Sequence, residues 1–284
     1  MLRPLATLFC SLLPALVAAE QGRLLATGGA SSIDGAAGGG IVPWAVLAGY
    51  GEQGEWGGAA FLTRVETGDY RLDVGGAALA YDNRVELSFA RQRFDLGTLA
   101  RDLRLPDDSL SQDIFGVKLR LFGDLIYDRL PQLSLGVEHK RQRDFRVPRL
   151  VGAVRDEDTE AYLAASRLIL GGAFGYNLLL NGNLRYSRAN EQGLLGFGGD
   201  RRDRHSVLKE GSVAVLLDSH WVVGVEYREK PDNLSFAGEN DWSDLFVGYF
   251  PNKHLAVVLA YARLGEIAGL DHQDGVYLSL QGSF

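Results

Sequence analysis

Val276-Tyr277-Leu278-Ser279-Leu280-Gln281-Gly282-Ser283-Phe284 closes the chain, and its reading decides the fold. Val276, Leu278, Leu280, Gly282 and Phe284 fall on one face and Tyr277, Ser279, Gln281 and Ser283 on the other. A strand lying between two unlike environments requires this period of two. The pattern recurs upstream. Phe115, Val117, Leu119 and Leu121 alternate with Gly116, Lys118 and Arg120. Leu133, Leu135 and Val137 alternate with Ser134, Gly136, Glu138 and Lys140, and Leu178, Leu180, Leu184 and Tyr186 oppose Asn177, Asn181, Asn183 and Arg185. Val223, Val225 and Tyr227 oppose Gly224, Glu226 and Arg228. Each stretch has one greasy and one wet face.

Composition bounds what such strands can build. With 46% hydrophobic and 23% charged residues in 284, the chain can bury a sizeable core. Glycine, at 36 residues, is nearly twice the ordinary usage of about 7%, which points to close backbone approaches and tight bends. The single cysteine, Cys10, and the single methionine, Met1, both precede residue 20. That start has a basic Arg3, an apolar run from Leu5 to Val17 and the small-residue ending Val17-Ala18-Ala19, the form of a secretory signal peptide cleaved after Ala19. The exported part, 20–284, reads as a single domain. It would hold no sulfur, which excludes disulfides, thiolate metal sites and cysteine nucleophiles. Losing Arg3 makes it one unit more negative than the formal −7 of the whole chain, an acidity that argues against a nucleic-acid partner. Its longest apolar run, Leu255 to Ala262, is far short of a membrane helix.

Further strand candidates are 41–50, 56–66, 70–81, 84–94, 159–168, 207–217, 242–250 and 255–264; of these, 159–168 suits a helix as well. Bacterial barrels alternate short periplasmic turns with longer outer loops. Walking back from Phe284, long connections fall near 265–274, 229–241, 189–206, 143–157 and 95–111. Short ones fall near 251–254, 218–220, 169–173 and 82–83. The stretch 123–131 is long for a turn, and 67–69 is short for a loop. Parity then asks for one more strand, supplied by 23–33, ahead of the Gly-rich connection 35–40. The expectation is an all-β transmembrane antiparallel up-and-down barrel of about fourteen strands, with about twelve as the alternative if two segments fail. A soluble periplasmic sandwich is the rival fold.

A terminal strand ending on an aromatic is similar to the signal by which outer-membrane barrels are recognised by the assembly machinery for insertion. Val276, Leu278, Leu280 and Phe284 are its candidate residues. Trp44, Tyr50, Trp56, Tyr70, Tyr81, Trp221, Trp242, Tyr249, Tyr261 and Tyr277 lie mostly near strand ends, as interfacial aromatics do.

The segments Gly22-Arg23-Leu24-Leu25-Ala26-Thr27-Gly28-Gly29, Gly39-Gly40-Ile41-Val42-Pro43-Trp44-Ala45, Arg84 to Gly97 and Gly136-Val137-Glu138-His139-Lys140 resemble a family of proteobacterial envelope proteins, domain-of-unknown-function family 3034. The resemblance implies an outer-membrane β-barrel setting across nearly the whole exported chain, and carries no activity or cofactor.

No constellation points to catalysis. Gly49-Tyr50-Gly51-Glu52-Gln53-Gly54 matches the dinucleotide spacing, but the strand-like Trp56-Gly57-Gly58-Ala59-Ala60-Phe61 follows where a crossover helix belongs. His139, His205, His220, His254 and His272 lie far apart, without the spacing of a zinc helix. Asp107-Asp108 and Asp271-His272-Gln273-Asp274 are thin calcium candidates in outer loops. Arg201-Arg202-Asp203-Arg204-His205 is a charged outer loop, suited to lipopolysaccharide phosphates, to solvent or to folding into the lumen.

The most informative residues are the charges on wet faces, because Arg or Lys pointing into lipid near the midplane costs about 2–4 kcal/mol. Lys118, Arg120, Glu138, Lys140, Arg185, Glu226 and Arg228 are therefore the candidate lumen-lining residues. They either pair across strands and fill the lumen or line a solute path. The reading is a passive, cofactor-free outer-membrane channel for a small solute, with outer-membrane lipid and lipopolysaccharide as surroundings. The alternatives are a structural or adhesive barrel presenting its outer loops and, behind it, a lipid-modifying enzyme.

Overall fold

The computed structural model describes residues 23–284 apart from 104, 106 and 237. The leader, with Cys10 and the cleavage point after Ala19, lies outside the described residues. Twelve antiparallel strands close into one barrel in sequence order. They are β1 (Trp56–Thr67), β2 (Arg71–Tyr81), β3 (Val85–Asp95), β4 (Ser109–Phe122), β5 (Gln132–Gln142), β6 (Glu157–Ala173), β7 (Tyr176–Ser187), β8 (Ser206–Leu216), β9 (Trp221–Arg228), β10 (Trp242–Asn252), β11 (Leu255–Arg263) and β12 (Asp274–Ser283). β12 pairs with β1 from Gly275↔Thr67 to Ser283↔Ala59, so the sheet has no open edge. The segment 159–168 lies within β6 and is strand throughout, because cross-strand pairing on both sides overrides its helix propensity.

Side chains alternate as the pleat demands. Leu62, Leu87, Val117, Val225, Leu245, Leu259 and Leu278 point outward and are each about half exposed. A belt of this size would be untenable in water and suits lipid. Exposed aromatics bound it, with Trp56, Tyr81, Tyr176 and Trp221 toward one end and Tyr186, Tyr227 and Tyr261 toward the other. Trp56 and Tyr81 meet at 4.8 Å between ring centroids, and Trp221 and Tyr249 at 4.5 Å. The remaining aromatics of the sequence reading turn inward: Trp44, Tyr50, Tyr70, Trp242 and Tyr277 are all buried. Position near a strand end does not fix the face; parity does. No described helix is long and apolar enough to cross a membrane.

One rim carries the short connections 82–84, 123–131, 174–175, 217–220 and 253–254, and the other the longer ones 96–108, 143–156, 188–205, 229–241 and 264–273. The 68–70 turn is the short exception on the long-loop rim. At the opposite rim the long 123–131 turn is held by Asp124, which accepts hydrogen bonds from the Ile126 and Tyr127 amides, while Leu125 tucks inward.

The strand count is twelve rather than fourteen. The segments 23–33 and 41–50 are not wall strands: together they form a plug that enters the barrel from the short-turn rim, turns at its tip and returns. Its only ladder is the two-residue pairing of Ala30–Ser31 with Ala37–Gly38. Every residue from 36 to 50 is buried, so both faces of this stretch meet protein. A wall strand needs one face for lipid, and Pro43 lacks the amide that a two-sided ladder requires.

Candidate functional site

The plug brings backbone into the barrel with a ladder of only two residues to satisfy it, and the other buried amides and carbonyls must find partners. The inner wall supplies them from side chains. The Ala45 carbonyl accepts from Gln132 Nε2 and Ser134 Oγ, both at 2.6 Å, and the Ala45 amide donates to Ser166 Oγ at 2.8 Å. The Pro43 carbonyl accepts from Asn183 Nδ2 at 2.6 Å and Asn181 Nδ2 at 3.3 Å. Gln92 Nε2 donates to the Ile33 carbonyl at 2.8 Å. At the short-turn rim the amides of Tyr50 and Gly58 both donate to the carbonyl of the terminal Phe284.

Charged wall residues do the same work. Lys118 Nζ donates to the Ala37 and Val46 carbonyls at 2.8 and 2.9 Å and lies 3.3 Å from Glu86. Glu86 in turn accepts from the Ala37 and Ala48 amides. Glu226 accepts from the Ile41 amide at 2.9 Å and from Ser212 Oγ at 2.7 Å, and Ser212 accepts from Trp44 Nε1. Gly39 passes so close to Glu226 that a Cβ there would lie 1.9 Å from Oε1, so a side chain at this position would push the carboxylate aside.

At the tip, Asp34 is fully buried and meets three cations from three strands: Lys140 at 2.9 Å, Arg228 at 2.6 Å and Arg185 at 3.8 Å. These cations also bind the wall's own acids. Arg185 reaches Glu138, Glu160 and Glu210 at 2.9, 2.6 and 2.6 Å, Lys140 reaches Glu160 at 2.6 Å, and Arg228 reaches Glu210 at 3.1 Å. The Arg185 guanidinium also lies 4.7 Å from the centroid of the Tyr162 ring, which occupies the space left by Gly136. Despite its burial, the Asp34 carboxyl is held below the ordinary carboxylate range by Arg228, Lys140 and Arg185.

Beyond the tip, the loop 188–205 folds into the mouth. Its residues 189–199 are buried, and the Gln192 carbonyl accepts from Gln112 Nε2 and Lys140 Nζ. Lys230 Nζ clamps the loop, lying 3.0 Å from Glu191 and 2.9 Å from Glu239. Cavities of about 30 and 20 Å³ flank the plug, each with room for about one water. The lumen is thus filled from both ends.

Lys118, Glu138, Lys140, Arg185, Glu226 and Arg228 point inward and are buried against the plug or against one another. Arg120 stands at the short-turn rim, where it binds the Gly123 carbonyl and Asp124. Sequence reading missed Asp34, Glu86, Glu160, Glu210 and Asp244. The first falls between the segment 23–33 and the Gly-rich connection 35–40, and the others lie on wet faces that give no sign of their partners. Val276, Leu278 and Leu280 face outward. In the loop 201–205, Arg201 pairs with Asp232 and Asp203 with Arg155, so these charges are held within the loops. Asp107 pairs with Arg146, and among the described residues no group of three or more His, Cys, Asp or Glu could hold a metal ion. Gly49–Gly54 forms turns leading into β1, without a helix. His139 meets Thr159, and His220 meets Ser219 within a turn; neither contact has the Ser–His–acid order of a hydrolase.

No curated protein matches the chain. Among solved structures, the KdgM porin superposes with a TM-score of 0.51 at 9% identity, covering 80% of this chain and 99% of that one. The Acinetobacter baumannii outer membrane protein Omp33 gives 0.47 at 8%, covering 82% and 100%, and LpxR from Salmonella typhimurium gives 0.47 at 13%, covering 80% and 99%. The KdgM likeness, at so low an identity, is one of fold. The family model described as "Protein of unknown function (DUF3034)" matches residues 27–281, nearly all of the described chain, and the protein belongs to that family.

Proposed function

We propose that the protein is an outer-membrane channel for small solutes, closed by its own N-terminal segment at one end and by the loop 188–205 at the other, and opened when both move. The observation that carries this reading is how the plug is held. Wall side chains bind its backbone and the single carboxylate of Asp34, rather than a continuous ladder knitting it to the barrel. Such contacts can be exchanged for water one at a time, and the wall left behind would be polar and hydrated. Strands joined by ladders on both sides have no comparable exchange available. The fold shared with a porin supports the reading, as does a belt suited to outer-membrane lipid.

The test is conductance. In planar bilayers the folded chain should be closed with brief openings, and Asp34→Ala, which frees the tip, should be open for a much larger fraction of the time. Silence from both, with heat-modifiable migration showing that both are folded, would overturn the channel reading. The filled lumen would then favour the structural alternative, a closed barrel presenting the loops 96–108 and 188–205.

A further inference from the structure

We infer that the open lumen selects small cations, an inference that rests on the channel reading above. It comes from the charge balance of the inner wall. Glu86 is matched by Lys118, and Glu138, Glu160 and Glu210 are matched by Lys140, Arg185 and Arg228. At the rims Arg120 is matched by Asp124 of the adjoining turn, and Asp158 by Arg188 of the adjoining loop. Two inward carboxylates remain, Glu226 and Asp244, and neither lies in an ion pair among the described residues.

These two are neighbours. Glu226 on β9 is directly opposite Asp244 on β10 in the register, and both are nearly fully buried. Both Asp244 oxygens lack a hydrogen-bond partner, as does the Tyr277 hydroxyl, which is 1% exposed. The plug covers the Glu226 side of this group. The Ile41 amide binds Glu226, and the point where a Cβ would stand on Gly40 is 3.4 Å from Tyr277 Oη and 3.5 Å from Glu226 Oε2. When residues 39–41 withdraw, Glu226 loses its backbone donor. The lumen then presents two adjacent carboxylates that no wall cation neutralises.

Unpaired carboxylates inside a pore with low-dielectric walls concentrate cations and repel anions. The wall's other charges cancel locally, so this pair sets the sign of the pore. A buried unpaired carboxylate is costly to keep, and a cation-selecting site is a use that repays it.

The experiment measures reversal potentials across a KCl gradient for the full-length chain carrying Asp34→Ala. The expected result is K⁺ preferred over Cl⁻, with the preference falling several-fold when Asp244→Asn and Glu226→Gln are added, and with conductance retained. Spermidine should block the Asp34→Ala current, a check that leaves the acidic pair intact. Currents that prefer Cl⁻ or lack preference would overturn the inference and leave the channel standing. So would a preference unmoved by the double substitution, or an absence of spermidine block. Silence from folded Asp34→Ala protein would overturn the channel reading and this inference together.

Discussion

The wall strands and the plug occupy the same barrel but solve the backbone problem in opposite ways. A wall strand such as β5 has a neighbour on each side, so its amides and carbonyls are satisfied before any side chain is chosen. Its side chains need only match lipid outside and the interior inside. The plug has a two-residue ladder, so its backbone takes partners from Gln92, Gln132, Ser134, Ser166, Asn181, Asn183 and Lys118. Inward polar residues in a barrel are therefore not a direct sign of a wet lumen. Here many of them take the place of water for a second piece of the chain.

The comparison breaks most sharply at the plug tip. Removing the Asp34 carboxylate leaves Lys140 and Arg228 short of a partner, and breaking a buried ion pair from one side costs about 3–5 kcal/mol. Asp34→Ala should undock the plug while the wall stays closed, seen as protease cleavage within 23–50 from a barrel whose heat-modifiable migration is unchanged. Loss of the barrel itself would show that plug and wall fold as one unit. The reverse separation comes from the lipid face. Leu259, half exposed at the middle of β11, should cost about 2–4 kcal/mol as Leu259→Arg, read as a lower urea midpoint for the whole barrel in lipid.

Asn183→Ala probes one of the wall's side chains that bind the plug. It removes the shorter of two bonds to the Pro43 carbonyl and should weaken plug docking by about 1 kcal/mol, measurable as faster amide exchange around residues 44–46. An equal effect on strand amides would deny the separation of the two regions. The smallest effect is expected at the mouth. Burial, followed by Glu239, pushes the Glu191 carboxyl up to about 8, against the pull of Lys230. A carboxyl pKa raised on docking means that the docked loop 188–205 is favoured most at acid pH, and that this contribution fades as pH rises through about 8. Amide protection in 189–199, taken relative to the intrinsic exchange rate at each pH, should fall over that range, and Glu191→Gln should flatten the profile.

Where a segment stands between lipid and interior, the sequence shows it. The twelve wall strands were legible because Leu135, Val137 and their counterparts alternate with Gly136 and Glu138, and the long and short connections follow the rims. The plug was not legible in the same way. Ile41, Val42, Trp44, Val46 and Leu47 are apolar because they are buried on every side, and a run of that kind resembles a strand when only hydropathy is weighed. Pro43 was the signal that could have demoted it. The inward position of Lys118, Glu138, Lys140, Arg185, Glu226 and Arg228 followed from parity alone. Their partners did not, because Asp34 lies 106 residues from Lys140 and 194 from Arg228, and pairing at that distance is set by closure of the barrel.

The central claim is that residues 23–50 occupy the lumen and are held there by the wall. Val46 is fully buried beside Lys118, whose ammonium binds its carbonyl. Val46→Cys, with Cys10 replaced by serine, places one thiol inside the plug for a membrane-impermeant maleimide to find in intact outer membranes. The account predicts no labelling in the otherwise native chain and ready labelling once Asp34→Ala is added; labelling at the same rate in both would contradict it.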